Sequence, residues 1–169
     1  MMKFIYSTLC LSILLVGCQP APDNSANEAF EKNSETVLSV LDGFQNETLD
    51  YSALYATDLI WQGSTFGSED SLSLEEMIAS NKSLWETYDL ELDNAVILPG
   101  VNEDTKLPDG SVRYYGDWKI TLPKTDSTEA KSGVLRGYGT YEFDEEGKII
   151  SQAFFADVTG LMMYLNTKE

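Results

Sequence analysis

Hydrophobic positions along this chain switch between helical and strand spacing, and the switches mark its elements. Phe30, Val37, Leu41 and Phe44, with Leu38 and Val40 beside them, form an apolar stripe on a helix running to about Gln45. Ser25 and Glu28 have capping-box spacing at its start. Asn46 to Tyr55 reads as a turn and a short helix, and Asp58–Trp61 as a short strand. A second capping box, Ser73 and Glu76, opens a helix carrying Leu74, Met77, Ile78, Leu84, Trp85 and Tyr88. From Leu90 to Leu98 the period becomes two, with Leu90, Leu92, Asn94, Val96 and Leu98 on one face, and Pro99-Gly100 is expected to end that strand. Ser111–Leu122 alternates again, with Val112, Tyr114, Gly116, Trp118 and Ile120 sharing a face. Gly133–Phe143 is the next strand, and its glycines 133, 137 and 139 predict strong bending. Asp144-Glu145-Glu146-Gly147 is a hairpin loop, followed by an apolar strand to Ala156 and a short last helix. Helices, a short strand, a helix, a four-strand meander and a terminal helix give an α+β domain, with helices on one face of a curved antiparallel sheet.

The first residues follow a different logic. Met1-Met2-Lys3 is a short positive start, and Phe4–Val16 is an apolar run too short for a mature membrane span. It ends in Leu15-Val16-Gly17-Cys18, which resembles the lipobox of bacterial lipoproteins. That resemblance implies a leader over 1–17, cleavage before Cys18, acylation of Cys18, and a polar tether over 18–26 leading to a domain over 27–167. Several acyl chains anchor stably where one is marginal. Gln19 follows the cysteine in place of the aspartate that retains some lipoproteins at the inner membrane, so the outer membrane of the cell envelope is expected.

Cys10 leaves with the leader and Cys18 takes lipid, so the mature domain has no disulfide and no thiol metal site. The net charge is −17, which argues against a nucleic-acid partner. There is no histidine, which removes imidazole bases, Ser-His and Cys-His systems and histidine metal sites. The acidic loops Asn102-Glu103-Asp104 and Asp144-Glu145-Glu146 lack calcium-loop spacing and read as solvated turns. No metal or cofactor is implied. Asp70-Ser71-Leu72 and Asp126-Ser127-Thr128 resemble the short O-glycosylation signal of exported Bacteroidetes proteins, on Ser71 and Ser127.

Asp58-Leu59-Ile60-Trp61, Asp117-Trp118-Lys119-Ile120-Thr121, the Tyr141–Ile149 hairpin and Phe154-Phe155-Ala156-Asp157 with Leu161, Met162 and Leu165 resemble the nuclear transport factor 2-like superfamily, and within it SnoaL-like proteins. The resemblance covers roughly 27–165 and implies a cone: a bent sheet wrapped around helices, with an apolar pocket in its mouth. It embraces cyclases, isomerases and dehydratases together with non-catalytic binding and dimerising domains, so it does not fix function.

In SnoaL-like cyclases an aspartate ending the last strand acts as base, and Asp157 matches that position. Counting back by twos from it gives Phe155, Ala153, Ser151 and Ile149, a small apolar face where a carboxylate would be desolvated. The same residue precedes Val158-Thr159-Gly160-Leu161 and is placed to cap the last helix, which takes precedence because aspartate is among the best N-caps. Trp61, Trp85, Tyr88, Tyr115, Trp118, Tyr138 and Phe155 are candidate pocket walls, with core or dimer interface as the alternative. Tyr138 is a candidate donor beside Asp157, as in ketosteroid isomerase-like sites, and Arg136 shares its parity and is placed to pair with a carboxylate.

The expected function is a membrane-anchored envelope protein that binds a small hydrophobic ligand or a partner without catalysis. A carboxylate-dependent isomerase, cyclase or lyase using Asp157 is the first alternative, and a homodimeric structural module the second.

Overall fold

The computed structural model describes residues 24–167 apart from 64, 68 and 70. Cys18, the leader and most of the tether lie outside the described residues, as does Asp70 of the first glycosylation-like motif. The elements are α1 (Ser25–Gln45), α2 (Tyr51–Leu54), β1 (Tyr55–Gln62), α3 (Leu74–Trp85), β2 (Asp89–Val101), β3 (Pro108–Leu122), β4 (Lys131–Phe143), β5 (Ile149–Phe155) and α4 (Val158–Asn166). One five-stranded sheet has the order β1-β5-β4-β3-β2. The meander β2 to β5 is antiparallel throughout, as its short connections require. β1 joins it parallel to β5, making the sheet mixed.

Helix α1 lies across the inner face of β3 and buries Val37, Val40 and Leu41, while Leu38 points outward. Each such burial contributes about 1.5–3 kcal/mol. A side-chain lock fixes its position: the buried Asn33 amide donates to the Gly110 carbonyl at 2.9 Å. At the other end the Gln45 carboxamide oxygen accepts from the Leu92 amide at 3.1 Å, and Trp85 donates to the Phe44 carbonyl at 3.0 Å. The Ser73/Glu76 capping box is present, with both reciprocal bonds made. The Ser25/Glu28 box is not: Asn24 takes the N-cap position and makes no side-chain cap bond, and Ser25 is already helical.

Three strand readings differ from the sequence pattern. β1 starts at Tyr55, before Asp58. Pro99-Gly100 does not stop β2, because β2 is the sheet edge, where a residue without an N–H leaves no ladder bond unmade. Parity also breaks twice. Leu92 opposes Trp118 and Asn94 opposes Asp117, so Asp93 is an extra residue, and Asn94, Val96 and Leu98 turn to the outer face. Likewise Phe143 opposes Ile149 and Glu142 opposes Ser151, so Ile150 is extra. Beyond it Gln152 and Phe154 face inward while Ala153 and Phe155 face outward. The inner glycines of β4 leave room for rings: a Cβ on Gly139 would meet Tyr114, and one on Gly137 would meet Phe154. Gly147 sits at φ 86° in the β4–β5 hairpin, a conformation glycine adopts without penalty.

Candidate functional site

The concave face of the sheet, α1, α3 and α4 enclose a cavity of about 580 Å³, within the range of small-molecule sites. Its closed end is built from β1, β3, β4 and β5, which place Tyr55, Tyr114, Tyr141 and Gln152 together. Its walls are apolar, with Met77 from α3, Trp118 and Ile120 from β3, Phe154 from β5 and Met162 from α4. Toward the outside Ser80, Ser83 and Thr87 add hydroxyls. Among the described lining residues there is no aspartate, glutamate, lysine or arginine, in a chain where such residues make up 23%.

The polar groups at the closed end are partly spent on one another. Trp118 Nε1 donates to the Tyr114 hydroxyl at 3.1 Å, and the Tyr55 hydroxyl donates to Gln152 Oε1 at 3.0 Å. Tyr114 stacks on Phe154 at 6.4 Å with 19° between planes and lies 6.1 Å from Tyr141. Burial holds the Tyr114 hydroxyl up at about 12, against the pull of the Trp118 hydrogen bond. Burial first, and the neighbouring phenols second, raise Tyr55 and Tyr141 well above the usual tyrosine range. All three are neutral phenols at pH 7. The cavity therefore offers stacking surface and neutral hydrogen bonds, with no group among its described residues that exchanges a proton near neutrality.

The same architecture recurs in solved structures. A candidate polyketide cyclase from Silicibacter sp. TM1040 matches at TM-score 0.62 and 17% identity, over 82% of this chain and 98% of that one. A protein of Burkholderia xenovorans LB400 described as nuclear transport factor 2-like matches at 0.59 and 11% identity, over 81% and 98%. The chain has the nuclear transport factor 2-like fold. A candidate hydroxylase from Streptomyces galilaeus shares it at TM-score 0.54 and 11% identity, over 83% and 99%. These neighbours carry different named activities, so the cone is common to them and the chemistry is not. No protein-family model and no curated protein matches the chain.

Within this nuclear transport factor 2-like cone the sequence candidates separate. Trp61, Tyr88 and Trp118 line the cavity. Trp85 packs its ring on Phe44 at 5.7 Å, in the core beside the cavity. Tyr115, Tyr138 and Phe155 are on the opposite, convex face, 5.0 and 6.1 Å apart in succession, and Phe155 is 54% exposed. For Phe155 the Ile150 bulge is why: counting by twos from Asp157 crosses it and assigns the wrong face. Arg136 is outward too, 3.6 Å from Asp117. Asp157 is exposed, accepts the Gly160 amide at 2.9 Å as N-cap of α4, and is not among the residues lining the cavity. Ser71 and Ser127 are exposed.

Sequence reasoning missed Tyr55, Tyr114, Tyr141 and Gln152. The first sits where β1 was not expected, and Gln152 carried no signal once the strand was read on the wrong face. Tyr114 was legible: it shares parity with Trp118 across an uninterrupted strand.

Proposed function

We propose that the protein is a lipid-anchored cell-envelope protein whose cone holds a small, uncharged, hydrophobic molecule without converting it. The observation that carries this reading is the cavity itself: about 580 Å³, walled by aromatic and aliphatic side chains, with no charged residue among the described lining. An apolar site with no carboxylate, imidazole, thiol or amine among its described lining residues to activate its hydroxyls favours retention over turnover. The anchor rests on the lipobox-like Leu15–Cys18.

The test uses the full-length lipidated protein in nanodiscs titrated with 2-acetylnaphthalene. Trp118 and Trp61 line the cavity, so saturable quenching of tryptophan emission is expected, and Ser80→Trp at the mouth is expected to weaken it at least about tenfold. Absence of saturable quenching overturns the binding reading. For the anchor, Cys18→Ser is expected to move the protein out of the washed membrane fraction.

A specific observation favours a second role for the convex face, self-association. Val96, Tyr115, Tyr138 and Phe155 stand directly opposite one another across four strands. This row is partly exposed, with the pairs Asp117–Arg136 and Glu91–Lys119 on one side of it and Arg113, held by the Val112 and Tyr141 carbonyls, on the other. A second copy of the chain, stacked face to face, would cover the row while meeting mostly charges that are already paired or hydrogen-bonded.

A further inference from the structure

We infer that the anchored protein stands with the end formed by its β2–β3 and β4–β5 hairpins facing the bilayer that holds it, and with the mouth of the cavity turned away, so that the cavity exchanges its ligand with the aqueous side. The inference rests on the lipid anchor of the reading above and adds the surface that the domain presents to the membrane.

Helix α1 joins the two ends. Its first turns lie against the hairpins: the Asn33 amide donates to the Gly110 carbonyl at 2.9 Å, and Lys32 Nζ donates to the Glu146 carbonyl at 3.2 Å. A Cβ on Gly110 would meet Ala29, and one on Gly147 would meet Lys32. Its last turn lies beside the mouth. Phe44 lines the cavity, its carbonyl accepts from Trp85, and Gln45 holds the Leu92 amide. The sheet runs the same way. Val112 and Tyr141 oppose one another at the closed end, near the hairpins, and Leu90 and Ile120 oppose one another toward the mouth. Between these ends α1 has 21 residues, about 31 Å of helix.

The anchor reaches one end only. Seven residue steps join Cys18 to Ser25, the first residue of α1, and at about 3.6 Å per step they span at most about 25 Å whatever the backbone does. Setting the mouth down on the bilayer would lift the start of α1 by the length of the helix, about 31 Å, which is beyond that reach. Lying on its side is opposed by charge. Glu28, Glu31, Glu35 and Asp42 are exposed along α1, whose one cationic side chain is Lys32, and an anionic leaflet repels that flank. The hairpin end is acidic as well, through Glu103, Asp104, Glu145 and Glu146, so it faces the leaflet across water and does not insert. A body with net charge −17, tethered at one end, is pushed outward by an anionic surface and settles with its untethered end farthest away.

The test uses the full-length lipidated protein in nanodiscs of phosphatidylethanolamine and phosphatidylglycerol. Energy transfer is measured from a dye on one introduced cysteine to an acceptor on the lipid headgroups; acylated Cys18 does not take the dye. Glu103→Cys reports the hairpin end and Glu86→Cys the mouth end, both at exposed positions. Transfer is expected to be at least about twofold more efficient from Glu103→Cys, because the two ends differ in height by about 31 Å. Asp104→Cys and Lys82→Cys, also exposed, should repeat the difference if either first variant fails to fold. A Gly/Ser insertion of about twenty residues between Ala21 and Pro22 adds more reach than α1 is long and should bring the two efficiencies together. Equal transfer from both ends, or stronger transfer from Glu86→Cys, overturns the orientation and leaves the anchor standing. A difference that survives the insertion overturns the tether as its cause. If adding Cys18→Ser to the labelled variants leaves transfer unchanged, the anchor fails and the orientation falls with it.

Discussion

At the scale of single residues, Asp157 shows how one side chain resolves two readings. Its carboxylate is taken by the first turn of α4, so its worth is a cap's worth. Asp157→Ala is expected to lower stability by about 1 kcal/mol, and Asp157→Asn to lower it far less, with probe binding unchanged in both. Denaturant midpoints and titrations check this. Equal loss of binding in both variants would restore the aspartate to the cavity. The capping role was legible because aspartate before Val-Thr-Gly-Leu is a helix start in any context. The tyrosines carry the second residue-scale prediction. Tyr55, Tyr114 and Tyr141 have folded-state values above the ordinary 10. The folded state therefore holds their protons more tightly than the unfolded chain, and the stability linked to them is intact below pH 10. It is lost as pH rises from 10 through about 12, where the unfolded chain has ionised and Tyr114 begins to. Tyrosinate absorbance should rise in two steps, the second coinciding with loss of the folded circular dichroism. A single step near pH 10 with the fold intact would contradict the burial.

At the scale of elements, two one-residue bulges reassigned faces, and the one in β5 hid Gln152 of the site. Alternation tells which residues share a face only while the ladder is regular. Asp93 and Ile150 each advance one strand by a residue, and nothing in their side chains announces it. β3 has no interruption between Val112 and Leu122, and there the sequence reading of the inner face holds residue for residue. The glycines of β4 belong to this scale too. They were expected to mark curvature, and they also provide space that two rings occupy. Gly139→Ala is expected to displace the Tyr114 ring and cost about 1–3 kcal/mol, the usual range for overpacking, and to weaken probe binding. Gly67→Ala, in an open loop, gives a comparison where only backbone strain is changed. Equal cost at both sites would mean that ring space is not what Gly139 provides.

At the scale of the whole molecule, the α+β cone was readable because each local signal agreed with the next: a helical stripe, capping boxes, then alternating strands joined by turn residues. What could not be read was the parallel pairing of β1 with β5, which depends on contacts far apart in sequence. Function was less legible, since the fold is shared by proteins of differently named activities. The convex row leads to a prediction at this scale. With the leader removed and Cys18 acylated as proposed, the chain keeps no free thiol, so Tyr115→Cys introduces a single one. In native membranes it should give a disulfide-linked dimer on mild oxidation, whereas Glu47→Cys, on the turn after α1, should not. Monomer from both would leave the row as surface.

The place of β5 has a consequence for the order in which the protein is made. This strand is made after the other four of the sheet, yet it lies between β1 and β4, with a ladder on each side. Until Ile149–Phe155 has emerged, β1 has no neighbour in the sheet and Tyr114 on β3 lacks its stacking partner Phe154. The sheet therefore stays open until β5 is available, which keeps the preceding chain threadable. Late closure of this kind is compatible with the proposed export, in which the chain would pass through a translocation pore as an unfolded strand.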